Sequence, residues 1–160
     1  TLGIYFVTKK EELNSAIESA LNFDKQLLVE KMIEGKEITA SVIGNQELKV
    51  MPLIEIISHT GYYDYKAKYT PGLSEHIIPA RVDQHIYEKV EKIALDAYRH
   101  IGCRGFARID FMVTESDLYV LEVNSVPGMT GTSLFPDAAR AAGISFEDLV
   151  ERIIKLALQN

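Results

Sequence analysis

The chain has 160 residues, with 17 Lys and Arg against 23 Asp and Glu, for a formal net charge of −6. Its 47% hydrophobic and 25% charged residues are those of a folded globular protein, which excludes a disordered tail or a low-complexity polymer. The acidic balance argues against a general nucleic-acid binder; the single cysteine, Cys103, excludes an intramolecular disulfide and fits a reducing compartment; and no uncharged stretch reaches the roughly 20 apolar residues of a membrane span.

Thr8-Lys9-Lys10-Glu11 has the form of a capping box, in which hydroxyl and carboxylate satisfy each other's orphan amides. Leu13, Ala16, Ile17, Ala20 and Leu21 then recur at helical spacing, which predicts a helix over 9–22. Residues 26–32 read as β-like. Residues 36–44 alternate, with Ile38, Ala40 and Val42 on one face; Gly44-Asn45 signals a hairpin turn, and 47–57 is the return strand. Residues 59–72, HTGYYDYKAKYTPG, have no clean period and form a long loop of the kind that is functional or disordered. A strand resumes over 75–80. Between Gln84 and His100 an amphipathic helix is marked by Ile86, Val90, Ile93, Ala94, Ala97 and Ile101, and Gly102 stops it. Strands follow over 105–113 and 118–124, about a tight turn at 115–117. A glycine- and proline-rich loop leads to two closing helices, the second opened by Ser145-x-x-Asp148. Antiparallel hairpins interspersed with helices, without internal repeat or long linker, make the class α+β.

The hairpin at 105–124 carries the densest chemistry. Side chains alternate along a strand, so Arg108 and Asp110 share a face, as do Glu122 and Asn124. If the turn centres on Ser116, Asp110 faces Glu122 and Arg108 faces Asn124. Ile109, Phe111, Val113, Tyr119, Leu121 and Val123 then form a core face. Opposed carboxylates about 5 Å apart repel by about 3 kcal/mol at an effective dielectric near 20. Arg108 offsets part of this repulsion, and a divalent cation would offset it better. Two carboxylates and an amide oxygen are hard ligands suited to Mg²⁺, which prefers a few carboxylates plus substrate phosphates. A surface hairpin held by an Arg–carboxylate network is the other reading of the same spacing.

Other segments also admit two readings. Residues 124–133 offer permissive backbone running into a helix that begins near Ser133, whose free amides suit an anion; an ordinary loop with Ser133 as N-cap fits equally. Residues 30–37 could read an adenine edge and ribose hydroxyls, or be a solvated turn. The loop at 59–72, with Tyr62, Tyr63, Tyr65, Tyr69, Lys66 and Lys68, suits a cover over a phosphate-bearing site or a disordered surface loop. The histidines lack a metal-ligand spacing such as HExxH, and Cys103 reads as structural.

The motifs EKMIEGKE, YYDYKAKY, GFARIDF and LEVNSVPGMTGTSLFP, in this order and spacing, resemble the D-alanine–D-alanine ligases of the ATP-grasp superfamily across nearly the whole chain. The resemblance implies an ATP-grasp fold of antiparallel sheets and packed helices. It implies that ATP phosphorylates one D-alanine carboxylate, that the amine of a second D-alanine attacks the acyl phosphate, and that the product is D-alanyl-D-alanine for peptidoglycan precursors. Asp110, Glu122 and Asn124 match the ligands of two Mg²⁺ ions, with Mn²⁺ as an alternative. Arg108 and the Gly128 backbone amide match the pair that stabilises the tetrahedral intermediate. Ser133 and Leu134 match the hold on the second D-alanine's carboxylate. Glu30, Lys31, Ile33 and Glu37 match adenine and ribose contacts, and Lys68 matches the lysine on the γ-phosphate. Tyr69 matches a tyrosine near the second substrate, favouring an amine over a hydroxy acid, and Tyr63 anchors the closed loop.

Members of the family are longer, and their N-terminal domain supplies a glutamate for the first D-alanine and two lysines for the ATP phosphates. That domain is absent from this sequence, which starts at Thr1 without a signal peptide. Residues 1–160 are therefore expected to be the C-terminal catalytic part, binding nucleotide weakly and ligating little or nothing alone. The missing N-terminal domain is the expected partner, in a cytoplasmic homodimer at full length. A D-alanine–D-lactate or other ATP-grasp amino-acid ligase, and a non-catalytic nucleotide-binding fragment, are the alternatives.

Overall fold

The computed structural model describes residues 3–58 and 74–159 of the chain. Its centre is the unbroken antiparallel pairing of β1 (Lys36–Gly44) with β5 (Gly105–Val113), which runs from Lys36 opposite Val113 to Gly44 opposite Gly105. Around this pair lie β2 (Lys49–Val50), β3 (Ile54–Ser58), β4 (Ser74–Ile77) and β6 (Leu118–Asn124). The sheet order is β4-β3-β1-β5-β6, with β2 also beside β1, and every pairing is antiparallel. The helices are α1 (Leu13–Ala20), α2 (Gln84–Ile101), α3 (Leu134–Ala141) and α4 (Phe146–Ala157).

Strand alternation sorts the residues into two cores. Ile38, Ala40 and Val42 of β1, with Ala107, Ile109, Phe111 and Val113 of β5, face α2 and meet Val90, Ala94 and Tyr98. On the opposite face Ile43, Ile54 and Ile56 meet Leu134, Phe135, Ala138 and Leu149 of α3 and α4. Phe106 packs edge-on against Phe135, with ring centroids 5.3 Å apart. Each fully buried aliphatic or aromatic side chain contributes about 1.5–3 kcal/mol, so both helix layers are held firmly on the sheet. Asn45 at the β1 turn fastens the far end: its Oδ1 accepts from Gly105 N at 2.8 Å, and its Nδ2 donates to Leu156 O at 2.9 Å. The Tyr98 hydroxyl donates to Gly44 O at 2.8 Å, and burial pushes its pKa up to about 12.

The structure corrects several boundaries. The first helix begins as a 3₁₀ turn, Lys10–Glu12, and continues as α1 only to Ala20. Glu12, rather than Glu11, caps it, accepting from the Thr8 and Lys9 amides at 3.3 Å. Residues 26–32 form no strand; they lie in an irregular segment with Leu28 and Val29 83% and 73% exposed, because no described strand pairs with them. The return strand expected over 47–57 is split at Pro52, which has no amide to donate. Val50 faces Val42 in β2 but Ile54 faces Thr39 in β3, a slip of one residue between the halves. The strand expected over 75–80 ends at Ile77, beside a cis Ile78–Pro79 peptide. Gly102 does stop α2, in the left-handed conformation at φ 76°. The loop over 59–72 lies outside the described residues. Among those described, no helix is long and apolar enough to cross a membrane.

In β6 the expected core face is broken by a bulge. Asp110 faces Glu122, but Phe111 faces Val120, so Leu121 is an extra residue. Past the bulge the faces exchange. Tyr119 and Leu121 are exposed instead of core, and Leu118 joins Val123 against the α2 cluster.

A buried carboxylate held by an exposed arginine braces β3. Glu55 accepts from Arg81 N at 3.1 Å, Nε at 2.9 Å and Nη2 at 2.9 Å. The Arg81 side chain holds the Glu55 carboxyl below its ordinary range, outweighing the burial that pushes it up. A depressed folded pKa means the stabilisation is present above the unfolded value near about pH 4.3 and is lost as pH falls through the folded one. The Arg81 side chain is 58% exposed, so solvent screening weakens the pair. E55Q is expected to be less stable to urea at pH 7 and to lose less stability than the parent between about pH 5 and pH 3; identical acid-side slopes would contradict this.

Candidate active site

The α3-facing side of the sheet turns polar at one end. Residues directly opposite in an antiparallel pair share a face, so Thr39 and Ser41 of β1 lie with Asp110 and Arg108 of β5. The next strand adds Glu122 opposite Asp110 and Asn124 opposite Arg108, the pairing that the spacing predicts. The structure thus brings Arg108, Asp110, Glu122 and Asn124 together.

The two carboxylates sit in unlike surroundings. Asp110 is 6% exposed and its oxygens are fully engaged. Oδ1 accepts from Thr39 Oγ1 at 2.6 Å and Arg108 Nε at 2.8 Å; Oδ2 accepts from Arg108 Nη2 at 2.7 Å and Asn124 Nδ2 at 3.1 Å. The Glu122 side chain is 56% exposed; its Oε1 accepts from Asn124 Nδ2 at 3.0 Å and lies 4.0 Å from Arg108 Nη2. One amide therefore bridges both carboxylates, and one guanidinium grips the buried one in bidentate fashion.

The donor set fits Mg²⁺ by its chemistry, since carboxylate and amide oxygens are hard ligands. Among the described residues no three His, Cys, Asp or Glu side chains cluster as a metal site; Asp110 and Glu122 are two carboxylates with the Asn124 amide beside them. Asn124 here turns its nitrogen to the carboxylates; a half-turn of the amide presents its oxygen instead.

The loop after β6 brings Gly128 against Ser133. A Cβ at Gly128 would stand 2.8 Å from Ser133 Oγ, so a larger residue would displace the serine. Ser133 occupies the N-cap of α3, but its hydroxyl accepts from Thr130 N at 3.0 Å rather than from the helix. The side chain folds the loop and leaves the first-turn amides of α3 without a side-chain cap. Leu134 is buried in the core, so only its backbone is offered to a ligand.

Other expected residues lie apart from the hairpin. Glu30 and Lys31 are exposed, and Ile33 half-buried, on the irregular segment that leads into β1. Gly35 is demanded there, because a Cβ would collide with Val113 O. Glu37 stands on β1 two residues from Thr39, on the same face as Asp110. Tyr63, Lys68 and Tyr69 fall outside the described residues. Cys103 lies half-buried away from this face, and burial pushes its thiol up, against a thiolate role.

Sequence reasoning missed Thr39 and the contact of His76 Nδ1 with Asp137 Oδ2, at 2.7 Å, which ties β4 to α3. Both join residues far apart in the chain, and no local pattern signals them.

The antiparallel sheet, its two helical layers and the charged hairpin beside a glycine-rich loop define an ATP-grasp domain. The family model described as "D-ala D-ala ligase C-terminus" matches residues 1–155, and the chain belongs to that family. It is 61% identical to the D-alanine–D-alanine ligase of Carboxydothermus hydrogenoformans, over 99% of this chain and 52% of that protein. Among solved structures it is similar to the D-alanine–D-alanine ligase of Bacillus anthracis complexed with ATP, with a TM-score of 0.81 and 36% identity over 96% of this chain and 50% of that one. It is similar also to the VanG D-Ala:D-Ser ligase of Enterococcus faecalis, with a TM-score of 0.82 and 36% identity over 98% of this chain and 46% of that one. The chain spans about half the length of these proteins.

Removing the guanidinium would leave Asp110 buried without its cation. R108M is expected to lower stability by about 3 kcal/mol in urea denaturation. The R108M/D110N double variant is expected to lose less than the sum of the single variants; strictly additive losses would show that the two groups are uncoupled.

Proposed function

We propose that this chain is the ATP-grasp half of an ADP-forming ligase that joins two D-alanines into D-alanyl-D-alanine for peptidoglycan precursors. The observation that carries this reading is the face-to-face pair Asp110 and Glu122, with Arg108 and Asn124 beside it, on the hairpin whose second strand runs on into the loop that holds Gly128 against Ser133. Phosphoryl transfer to a carboxylate brings two anions together, so the site's work is positioning and charge stabilisation.

Asp110, Glu122 and Asn124 would hold Mg²⁺, which when bound neutralises the approach of the D-alanine carboxylate to the triphosphate. Arg108 and the Gly128 amide would donate to the oxyanion that forms when the second amine attacks the D-alanyl phosphate. Ser133 and the Leu134 backbone, at the start of α3, would hold the second D-alanine's carboxylate. Glu30, Lys31, Ile33 and Glu37 would take adenine and ribose, and Lys68 the γ-phosphate. Tyr69 would favour an amine as the second substrate, with Tyr63 anchoring the loop that excludes water from the acyl phosphate.

The remaining contacts to the first D-alanine would come from an N-terminal domain joined to this one. Ile4, Phe23, Leu28 and Val29 support that arrangement: they are large, exposed and belong to neither core. The complete enzyme would be a cytoplasmic homodimer.

The test is a fusion in which this chain replaces the matching half of the Carboxydothermus relative. The fusion is expected to release ADP from Mg·ATP with D-alanine and to form D-alanyl-D-alanine, while the 160-residue chain alone ligates little or nothing. D-lactate preferred as second substrate would move the reading to a depsipeptide ligase, and no ADP above background would remove the ligase reading. In the fusion, E122Q is expected to cut turnover by more than about 100-fold, about 2.7 kcal/mol of barrier. Because Glu122 is largely exposed, its stability should stay within about 0.5 kcal/mol. Unchanged turnover would make the carboxylates structural only.

A further inference from the structure

Thr39 is wholly buried in the middle of β1, among the residues that face α3. A hydroxyl at such a position must spend its hydrogen inside the protein. It has two acceptors in reach: Ile109 O at 3.4 Å and Asp110 Oδ1 at 2.6 Å, and the short contact takes the proton. Thr39 stands directly opposite Asp110 in the unbroken β1/β5 pairing, so its reach is set by the sheet and not by a loop.

The donors to Asp110 differ in what else they do. Arg108 also faces Glu122, and the Asn124 amide is shared with Glu122. A ligand on the β6 side would draw on both. Thr39 comes from the other flank of Asp110, and its hydroxyl hydrogen has no competing short contact.

We propose that Thr39 is a positioning residue for the Asp110 carboxylate: by holding Oδ1 from the β1 side, it keeps Oδ2 presented toward Glu122 and Asn124, where a divalent cation would sit. The proposal rests on the reading of Asp110, Glu122 and Asn124 as cation ligands. Groups that orient a ligating carboxylate typically change metal affinity by about 10- to 100-fold when removed.

T39S and T39A both lack the methyl group and differ only in the hydroxyl, so their difference isolates the hydrogen bond. The probe is Mn²⁺ binding with ADP present, followed by electron paramagnetic resonance on the fusion enzyme. T39S is expected to bind within about threefold of the parent, and T39A about 10- to 100-fold more weakly than T39S. Thermal melting checks that both are folded; should T39A fail to fold, the isosteric T39V takes its place, compared with the parent, from which it differs only by a methyl in place of the hydroxyl. Equal Mn²⁺ affinities of the hydroxyl-bearing and hydroxyl-free variants would overturn the role of Thr39. D110N separates the two ideas. If it abolishes binding while T39A equals T39S, only the Thr39 proposal falls. If it leaves Mn²⁺ binding at the parent level, the cation reading fails and Thr39's role fails with it.

Discussion

Two carboxylates held face to face by backbone pairing are the constraint around which this domain is arranged. Asp110 and Glu122 are opposed because, on their side of the Leu121 bulge, β5 and β6 pair with Ile109 opposite Val123 and Arg108 opposite Asn124; β5 itself is fixed by its unbroken pairing with β1, where a one-residue slip would send its whole hydrophobic set to the wrong face. The charges cannot separate without dismantling the α2-facing core. The protein instead surrounds the inner one with donors. Thr39, Arg108 and Asn124 together engage both oxygens of Asp110, while Glu122 stays open to solvent. This asymmetry suits a site that must hold negative charge at rest and accept more positive charge on demand.

The rest of the fold explains why this arrangement is rigid. β5 is the inner neighbour of both β1 and β6, and it is packed by α2 on one side and by α3 and α4 on the other. The apolar half of the α3-facing side anchors that helix through Phe135 and Leu134. The same helix starts at Ser133, beside Gly128 in the loop that leaves β6. Packing and chemistry are therefore continuous: one helix serves as core at its buried face and as a set of free amides at its beginning.

Much of this was legible in the residues because the signals are local. Alternation gave β1 and β5 their ends, a glycine in the left-handed region ended α2, and a short turn at Ser116 set which charges oppose which. The misreadings arose where partners are distant or an extra residue enters. Pro52 divides the return strand, and the bulge at Leu121 exchanges the faces of Tyr119 and Leu118, neither of which alternation alone discloses. Residues 26–32 have strand composition but no described neighbour to complete their ladder. Thr39 looked like an ordinary β-branched strand residue, because its bond to Asp110 depends on a pairing across 71 positions of sequence.

The most direct test of the charged hairpin is a crystal structure of the fusion enzyme with Mn²⁺ and a non-hydrolysable ATP analogue, the metal located by its anomalous signal. A cation within about 2.2 Å of oxygens from both Asp110 and Glu122, with the Asn124 amide turned to present its oxygen, is the expected result. Nucleotide bound with the metal elsewhere, and Asp110 still clasped by Arg108 and Asn124, would show that these carboxylates serve only to hold the sheet together.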